Sequence, residues 1–269
     1  MPWLQGRLDV PAFAAPADDA EARKKAAQLY QRASRLYLEH RFAEAAEQLR
    51  RCLEIDPRQP RVVKLLGLCY QLVNQTDQAR EAFLEACKLA PADSEAWFFL
   101  ARIYWVENFF DKALGALKTA LRLNPRDYRI HELLALTLEA EGHMEQALSA
   151  YREAVKWNAR SKNPSPTPHL NYGCFLYKLD RLEESEEQLR RSRGLDPKDW
   201  RVHFELGKLY HRLAKYDEAI VDLTQALAAG TANKDESVRV YRVLAQVYGR
   251  MGRHAEAQSA IALSEKLKP

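Results

Sequence analysis

The sequence has no run of about eighteen apolar residues, the length that a helix needs to cross a membrane. It has only four cysteines, Cys52, Cys69, Cys87 and Cys174, and no C-x-x-C pair among them. This spacing supports neither a zinc site nor a disulfide framework. The first residues lack the basic head and apolar middle of a signal peptide. We therefore expect reduced thiols and a cytoplasmic location, although a periplasmic or secreted protein whose signal has been removed would look the same.

Motifs for catalysis and nucleotide binding are missing as well. The sequence contains no G-x-x-x-x-G-K, G-x-G-x-x-G, G-x-S-x-G or H-E-x-x-H. His131, His169 and His203 recur regularly, but they share one packing position with Trp97 and Tyr241 of sister repeats. Successive repeats separate these histidines by too much for one metal ion. We predict no enzyme activity, no cofactor and no metal site.

A strong excess of one charge is also absent. The chain has 41 basic and 37 acidic residues, for a formal net charge of +4. A balance this close gives little ground for binding nucleic acid or a membrane surface, so local patches matter more than the total.

What the sequence does have is a 34-residue period that runs through the chain. A small residue marks each period, and we number each repeat so that this residue is position 20. Position 20 is Ala45, Ala79, Ala113, Ala147, Ser185, Ala219 and Ala257. Two intervals are longer, at 38 residues, from Ala147 to Ser185 and from Ala219 to Ala257.

Other positions recur in the same register. Position 8 is always Gly or Ala, position 11 is Leu or Tyr, and position 32 is usually Pro. Small residues at positions 8 and 20 let two antiparallel helices approach closely, and large residues at positions 11 and 24 fill the space between them. Position 15 mostly holds residues that tolerate the left-handed conformation at the end of a helix. The residues at position 15 are His40, Asn74, Asn108, Gly142, Asp180, Ala214 and Gly252.

This combination of spacing and residue types resembles the tetratricopeptide repeat (TPR) family from end to end. The resemblance implies an all-α fold, a right-handed superhelical solenoid of antiparallel helix pairs. We expect a single solenoid over residues 18–269. The seven expected repeats are about residues 26–59, 60–93, 94–127, 128–161, 166–199, 200–233 and 238–269.

Both ends of the chain depart from the pattern. Residues 1–17 fit no repeat and contain three prolines, so we predict a flexible leader. The leader is unusually apolar for such a tail, and docking into the groove of the array is the alternative. In the last repeat, Ala260, Leu263 and Leu267 form an apolar stripe that nothing later in the sequence would cover. Self-association through this repeat is therefore a further expectation.

In the TPR family, the first helices of the repeats line a concave groove, and positions 2, 5, 9, 12 and 13 face the ligand. Carried over residue by residue, these positions are rich in aromatic and basic side chains, which suit a peptide or helix with apolar anchors and acidic groups. The predicted groove residues are Tyr30, Tyr37, Lys64, Phe98, Arg102, Trp105, Tyr177, Phe204, Lys208, Arg212, Arg242 and Arg250. The same positions also hold Ser34 in the first repeat and His211, Arg239 and Gln246 in the last two.

Three classes of function remain. A protein-binding scaffold or adaptor is favoured, because the repeats, which form binding surface, take up nearly the whole chain. The alternative is a regulatory or substrate-presenting subunit of an enzyme complex, such as a glycosyltransferase or an envelope or secretion assembly. RNA-binding helical repeats are disfavoured, because they run at 35 residues and lack this residue set. The Lys and Asn pattern that some TPR proteins use to grip chaperone C-termini is not matched either.

Overall fold

A computed structural model of the chain describes residues 20–231 and 233–267, and these residues contain fourteen α-helices and no strand. Two helices fall in each predicted repeat, so the all-α fold of paired helices is confirmed. The predicted leader, residues 1–17, and the terminal Pro269 lie outside the described residues. The helices are α1 (Ala20–Leu38), α2 (Phe42–Ile55), α3 (Pro60–Leu72), α4 (Thr76–Leu89), α5 (Ser94–Val106), α6 (Phe110–Leu123), α7 (Tyr128–Ala140), α8 (Met144–Asn158), α9 (Thr167–Lys178), α10 (Leu182–Leu195), α11 (Trp200–Arg212), α12 (Tyr216–Ala228), α13 (Lys234–Arg250) and α14 (His254–Lys266).

The helices group into two compact units. Unit 1 ends at His143 and contains α1 to α7, and unit 2 begins at Met144 and contains α8 to α14. In unit 1, α1 packs on α2, α3 on α4 and α5 on α6. In unit 2, the packed pairs are α9 with α10, α11 with α12 and α13 with α14. The boundary falls inside the predicted fourth repeat, and the single solenoid over residues 18–269 stays a prediction.

The two helices of a pair are in tight contact where position 8 is glycine. A Cβ atom added at Gly67 would lie 2.8 Å from the ring of Phe83, and one added at Gly207 would lie 2.5 Å from Cγ of Leu223. Both partners are at position 24 of the same repeat and are fully buried. The pairing of small and large residues expected from the sequence is therefore present at these contacts.

The turns between the two helices of each repeat share one backbone conformation. All seven residues at position 15 have a positive φ, from 55° at Ala214 to 81° at Gly142. The left-handed conformation predicted for this position is thus confirmed, even where the residue is Ala214, which carries a Cβ.

Position 4 fixes the connection from one repeat to the next. Trp97, His131 and His203 each place a ring nitrogen 2.9–3.0 Å from the carbonyl oxygen of a proline six residues earlier. Because a carbonyl oxygen can only accept, the ring N–H is the donor in all three bonds. We call this bond the proline staple. His131 and His203 are buried, and each donates a hydrogen bond to a backbone carbonyl of the turn. This bond explains why a histidine suits the predicted packing position.

Candidate functional site

A cavity of about 310 Å³ opens on unit 2 beside the first helices of its last three repeats, α9, α11 and α13. This volume is of the size that accommodates one or two side chains of a ligand. Four of the predicted groove residues, Tyr177, Phe204, Lys208 and Arg242, line it together. We call this surface the unit 2 pocket, and its lining consists of Tyr177, Phe204, Lys208, His211, Arg239, Arg242, Val243 and Gln246.

The floor of the unit 2 pocket carries cations stacked on aromatic rings. The Nζ atom of Lys208 lies 5.3 Å from the ring centre of Tyr177 and 5.4 Å from that of Phe204. Arg212 stacks on Tyr177 at 5.1 Å, and Arg239 stacks on Phe204 at 5.3 Å. Such contacts hold long cationic side chains in place, so less rotamer freedom is lost when a ligand binds them.

The charges around the pocket are only partly compensated. Acidic neighbours pair with three of its cations: Glu205 with Lys208 at 2.6 Å, Asp180 with Arg212 at 2.9 Å, and Glu236 with Arg239 at 2.9 Å. A fourth cation is different. Arg242 is exposed and forms no hydrogen bond or ion pair with any described residue. The guanidinium of Arg242 is therefore available to pair with a carboxylate of a ligand.

His211 adds a titratable group to the same surface. Burial lowers the pKa of His211 below its usual value of 6.5, and the nearby positive charge of Arg250 lowers it further. The imidazole is therefore neutral at neutral pH and becomes cationic only in more acidic solution.

In unit 1 the predicted cations are engaged within the fold. Lys64 donates to Asp93 at 2.7 Å and to Glu95 at 3.0 Å, so it joins α3 to the start of α5. Glu95 also lies 3.7 Å from Arg129 of α7. Lys64 thus links successive repeats, and a ligand would have to compete with two carboxylates to reach it.

Three predicted aromatic residues of unit 1 are buried. Tyr30, Tyr37 and Phe98 have only 2%, 5% and 7% of their surface exposed. Arg129 stacks on the ring of Phe98, with its Cζ atom 5.3 Å from the ring centre. These rings therefore offer a ligand little free area, as does Phe204 of unit 2, which is 4% exposed, whereas Tyr177 of unit 2 is half-buried.

Unit 1 nevertheless contains buried polar atoms without partners. The Oγ atom of Ser34, the Oη of Tyr37, the Nε of Arg102 and the Nε1 of Trp105 are shielded from solvent and make no hydrogen bond. All four residues lie at positions 9 and 12, on the first helices α1 and α5. Their positions could be read from the sequence, but their burial could not.

Val243 is the one residue of the unit 2 pocket that lies outside the groove positions. It lies at position 6, which the family pattern does not assign to the ligand. Little in the sequence indicated that Val243 lies in the pocket, because an apolar residue next to Arg242 could equally well belong to the core.

Two features are absent from the described residues. No helix within residues 20–231 and 233–267 is long and apolar enough to cross a membrane. In the same ranges, no group of three or more His, Cys, Asp or Glu side chains is arranged to hold a metal ion. All four cysteines are free thiols, and burial raises the pKa of Cys52, Cys69 and Cys87 to about 12, so these three are unreactive.

Comparison with known proteins identifies the family of the chain. Family models for the tetratricopeptide repeat match residues 36–103, 102–165 and 201–266. The chain belongs to the tetratricopeptide repeat family. Arrays of this family generally serve as interaction scaffolds for proteins, as the resemblance implied. No curated protein sequence matches this TPR chain.

Solved TPR structures share the fold at low sequence identity. PilF of Pseudomonas aeruginosa aligns with a TM-score of 0.67 and 19% identity, over 78% of this chain and 92% of that one. Cut9 with Hcn1, an APC/C hetero-tetramer, aligns with a TM-score of 0.63 and 21% identity, over 93% and 48%. YrrB, described as a TPR protein with an unusual peptide-binding site, gives 0.52 and 18%, over 69% and 93%. Sequence identities this low show that the fold is shared, and they show nothing about function.

Proposed function

We propose that this TPR protein is a non-catalytic interaction scaffold whose unit 2 pocket binds a peptide or helix with an apolar anchor and acidic side chains. The observation that carries the proposal is Arg242, an exposed guanidinium without a partner beside two aromatic rings. An apolar or aromatic ligand side chain would contact Tyr177 and Val243, which line the pocket and are only partly buried. A neighbouring carboxylate would pair with Arg242.

The physical basis is that rings and cations are already ordered before the ligand arrives. Tyr and Arg side chains supply much of the binding energy at protein interfaces when they are packed and desolvated. Here Lys208 and Arg239 are held on the rings by stacking and by their own carboxylates. Arg250, next to His211, extends the positive surface toward the end of α13.

A peptide ligand also fits what is known of related folds. YrrB is a TPR protein with a peptide-binding site, and its likeness to this chain lies in the fold. We further propose that the protein resides in a reducing compartment such as the cytoplasm. Four free cysteines, three of them buried, support that location.

The proposal can be tested by selecting peptides from a random display library on the full chain. We expect the selected sequences to be enriched in Asp or Glu next to an aromatic or large aliphatic residue. Their affinity should then be measured for the wild-type chain and for Arg242→Glu. Charge reversal at the pocket should weaken binding about tenfold or more, because an attractive pair becomes a repulsive one.

Lys198→Glu is the matched control, because Lys198 is an exposed cation of the same unit that does not line the pocket. This variant makes the same change in net charge and should bind the selected peptides nearly as well as the wild type. Equal losses in both variants would mean that only the overall charge matters. Selected sequences without acidic residues would contradict the proposal directly.

A further inference from the structure

We propose that residues 1–17 of this chain bind to unit 1, on the surface formed by Ser34, Tyr37, Arg102 and Trp105, and act there as an internal ligand. This surface lies in the other unit and is independent of the peptide site proposed on unit 2. We call it the unit 1 face. The inference rests on unpartnered polar atoms, on the chemistry of the leader and on the length of chain available.

The unit 1 face holds four hydrogen-bond donors whose atoms have no partner among the described residues. Its hydroxyls, guanidinium and indole each have an N–H or O–H to donate, and the buried atoms make no hydrogen bond. Ser34 and Tyr37 are more than nine-tenths buried. Shielded polar groups in folded proteins are nearly always paired, so a set of four at matching repeat positions indicates a missing acceptor.

The four residues belong to one surface. The charge of Arg102 acts on the hydroxyl of Tyr37, where it opposes the rise in pKa that burial causes. Gln71, on the intervening helix α3, accepts a hydrogen bond from the Nη2 atom of Arg102. The unit 1 face therefore extends across the first helices of three successive repeats.

Arg102 differs from the other cations of unit 1. Lys64 pairs with Asp93 and Glu95, whereas Arg102 has no ion pair among the described residues. Its partners are the amide of Gln71 and the ring of Phe99, whose centre lies 5.2 Å from Cζ. A desolvated guanidinium with only neutral partners is suited to donate hydrogen bonds to a carboxylate.

The leader has the complementary chemistry. Asp9 is flanked by Leu8 and Val10, so it offers a carboxylate between two apolar side chains. Pro2, Pro11 and Pro16 contribute carbonyl oxygens but no N–H groups. An acceptor-rich, apolar segment complements the unpartnered donors beside the buried rings of Phe98 and Phe99.

The leader is also long enough to reach this face. Ser34 lies about 21 Å along α1 from Ala20, at a helical rise of 1.5 Å per residue. The ten residues from Asp9 to Asp19 span about 30 Å when extended. A tethered segment is present at millimolar effective concentration, which favours it over a free peptide or a second copy of the chain. The leader would then compete with any external ligand for unit 1.

Limited digestion of the full chain with trypsin tests this proposal. Arg7 is the only Lys or Arg before Arg23, so cleavage of the Arg7–Leu8 bond reports on the leader alone. We expect this bond to be cut about tenfold or more slowly in the protein than in a synthetic peptide of residues 1–17. Asp9→Asn and Arg102→Gln should each restore fast cleavage.

Three controls keep the result unambiguous. Asp9→Asn changes no residue of the described helices, so its effect cannot be attributed to misfolding. Arg122→Gln removes an exposed cation on a second helix of unit 1 and should leave the protection intact. Protection must also be independent of protein concentration. Cleavage as fast as in the free peptide, protection that both variants retain, or protection that increases with concentration would each overturn the proposal.

Discussion

Single residues set the distance between the helices of a repeat. Gly67 lies against the ring of Phe83, which is fully buried and stacks on Phe99 at 5.4 Å between ring centres. Such a ring has no free space into which it could move, so the absence of a Cβ at Gly67 is a packing requirement. Gly115, in the middle of α6, has no atom within 4 Å of an added Cβ. The two glycines therefore make a matched pair.

We predict that Gly67→Ala and Gly115→Ala shift stability in opposite directions. The added methyl at Gly67 should overpack the contact with Phe83 and lower the stability of unit 1 by about 1–3 kcal/mol. Gly115→Ala should raise stability by about 0.5–1 kcal/mol, because alanine is the better helix former. Thermal unfolding followed by circular dichroism would measure both shifts. A rise in Tm for Gly67→Ala would show that the ring of Phe83 can yield.

His211 gives the unit 2 pocket a pH dependence with a definite sign. Its pKa is lowered in the free protein by burial and by Arg250, and a bound carboxylate would raise that pKa. Binding therefore takes up a proton at pH values between the pKa of His211 in the free protein and its higher pKa in the complex, and the affinity for an acidic peptide should increase as the pH falls below neutrality. Titration calorimetry at several pH values would measure this. His211→Asn should flatten the dependence, and an unchanged slope would exclude His211 as its source.

Helices and their connections are organised by the proline staple. In the sixth repeat the staple extends into a buried polar cluster, because Nδ1 of His203 lies 2.7 Å from Asp222 while Nε2 bonds to Pro197. Asp222 in turn lies 3.2 Å from Arg193 of α10. One side chain thus connects the turn before α11 to α12, and through Asp222 to the preceding repeat.

We predict that His203→Leu lowers the stability of unit 2 by about 1–3 kcal/mol, because it removes a partner from both Asp222 and the proline carbonyl. The double variant His203→Leu, Asp222→Leu should recover part of this loss, because it removes the buried carboxylate that the single variant leaves with Arg193 as its one ion-pair partner among the described residues. Urea unfolding of the wild type and the two variants would measure the difference. A single variant as stable as the wild type would show that the staple contributes only packing.

Much of this element-level order could be predicted from the sequence. The left-handed residues at position 15, the small residues at position 8 and the two helices of each repeat follow from local steric rules that a 34-residue period displays. The role of the histidines at position 4 could not be predicted in full. The bond from His131 or His203 to a proline carbonyl depends on the path of the turn, which periodicity does not encode.

The candidate site was less predictable than the fold. Family positions indicated which side chains face outward, but they did not show that Lys64 would be engaged by two carboxylates or that Phe98 would be buried. Charge pairing and burial depend on neighbours that are distant in sequence. For the same reason, only the structure distinguishes Arg242, which has no partner, from the paired cations beside it.

The molecule as a whole consists of two units with different surfaces. Unit 2 presents a pocket lined by the exposed Arg242 and the half-buried Tyr177, whereas in unit 1 Tyr30, Tyr37 and Phe98 are buried and Lys64 is paired with carboxylates. The expected self-association through the last repeat stays a prediction. Ile261 and Leu263 of α14 are 47% and 42% exposed, and their substitution by lysine would test it in sedimentation experiments.

Hydrogen exchange of the full chain, with and without a selected acidic peptide, would locate the bound ligand most directly. If the unit 2 pocket is the binding site, amides of α9, α11 and α13 should become better protected, while those of α10, α12 and α14 change little. Arg242→Glu should abolish this protection at the same peptide concentration. Protection confined to unit 1, or to the second helices of unit 2, would contradict the assignment of the binding site.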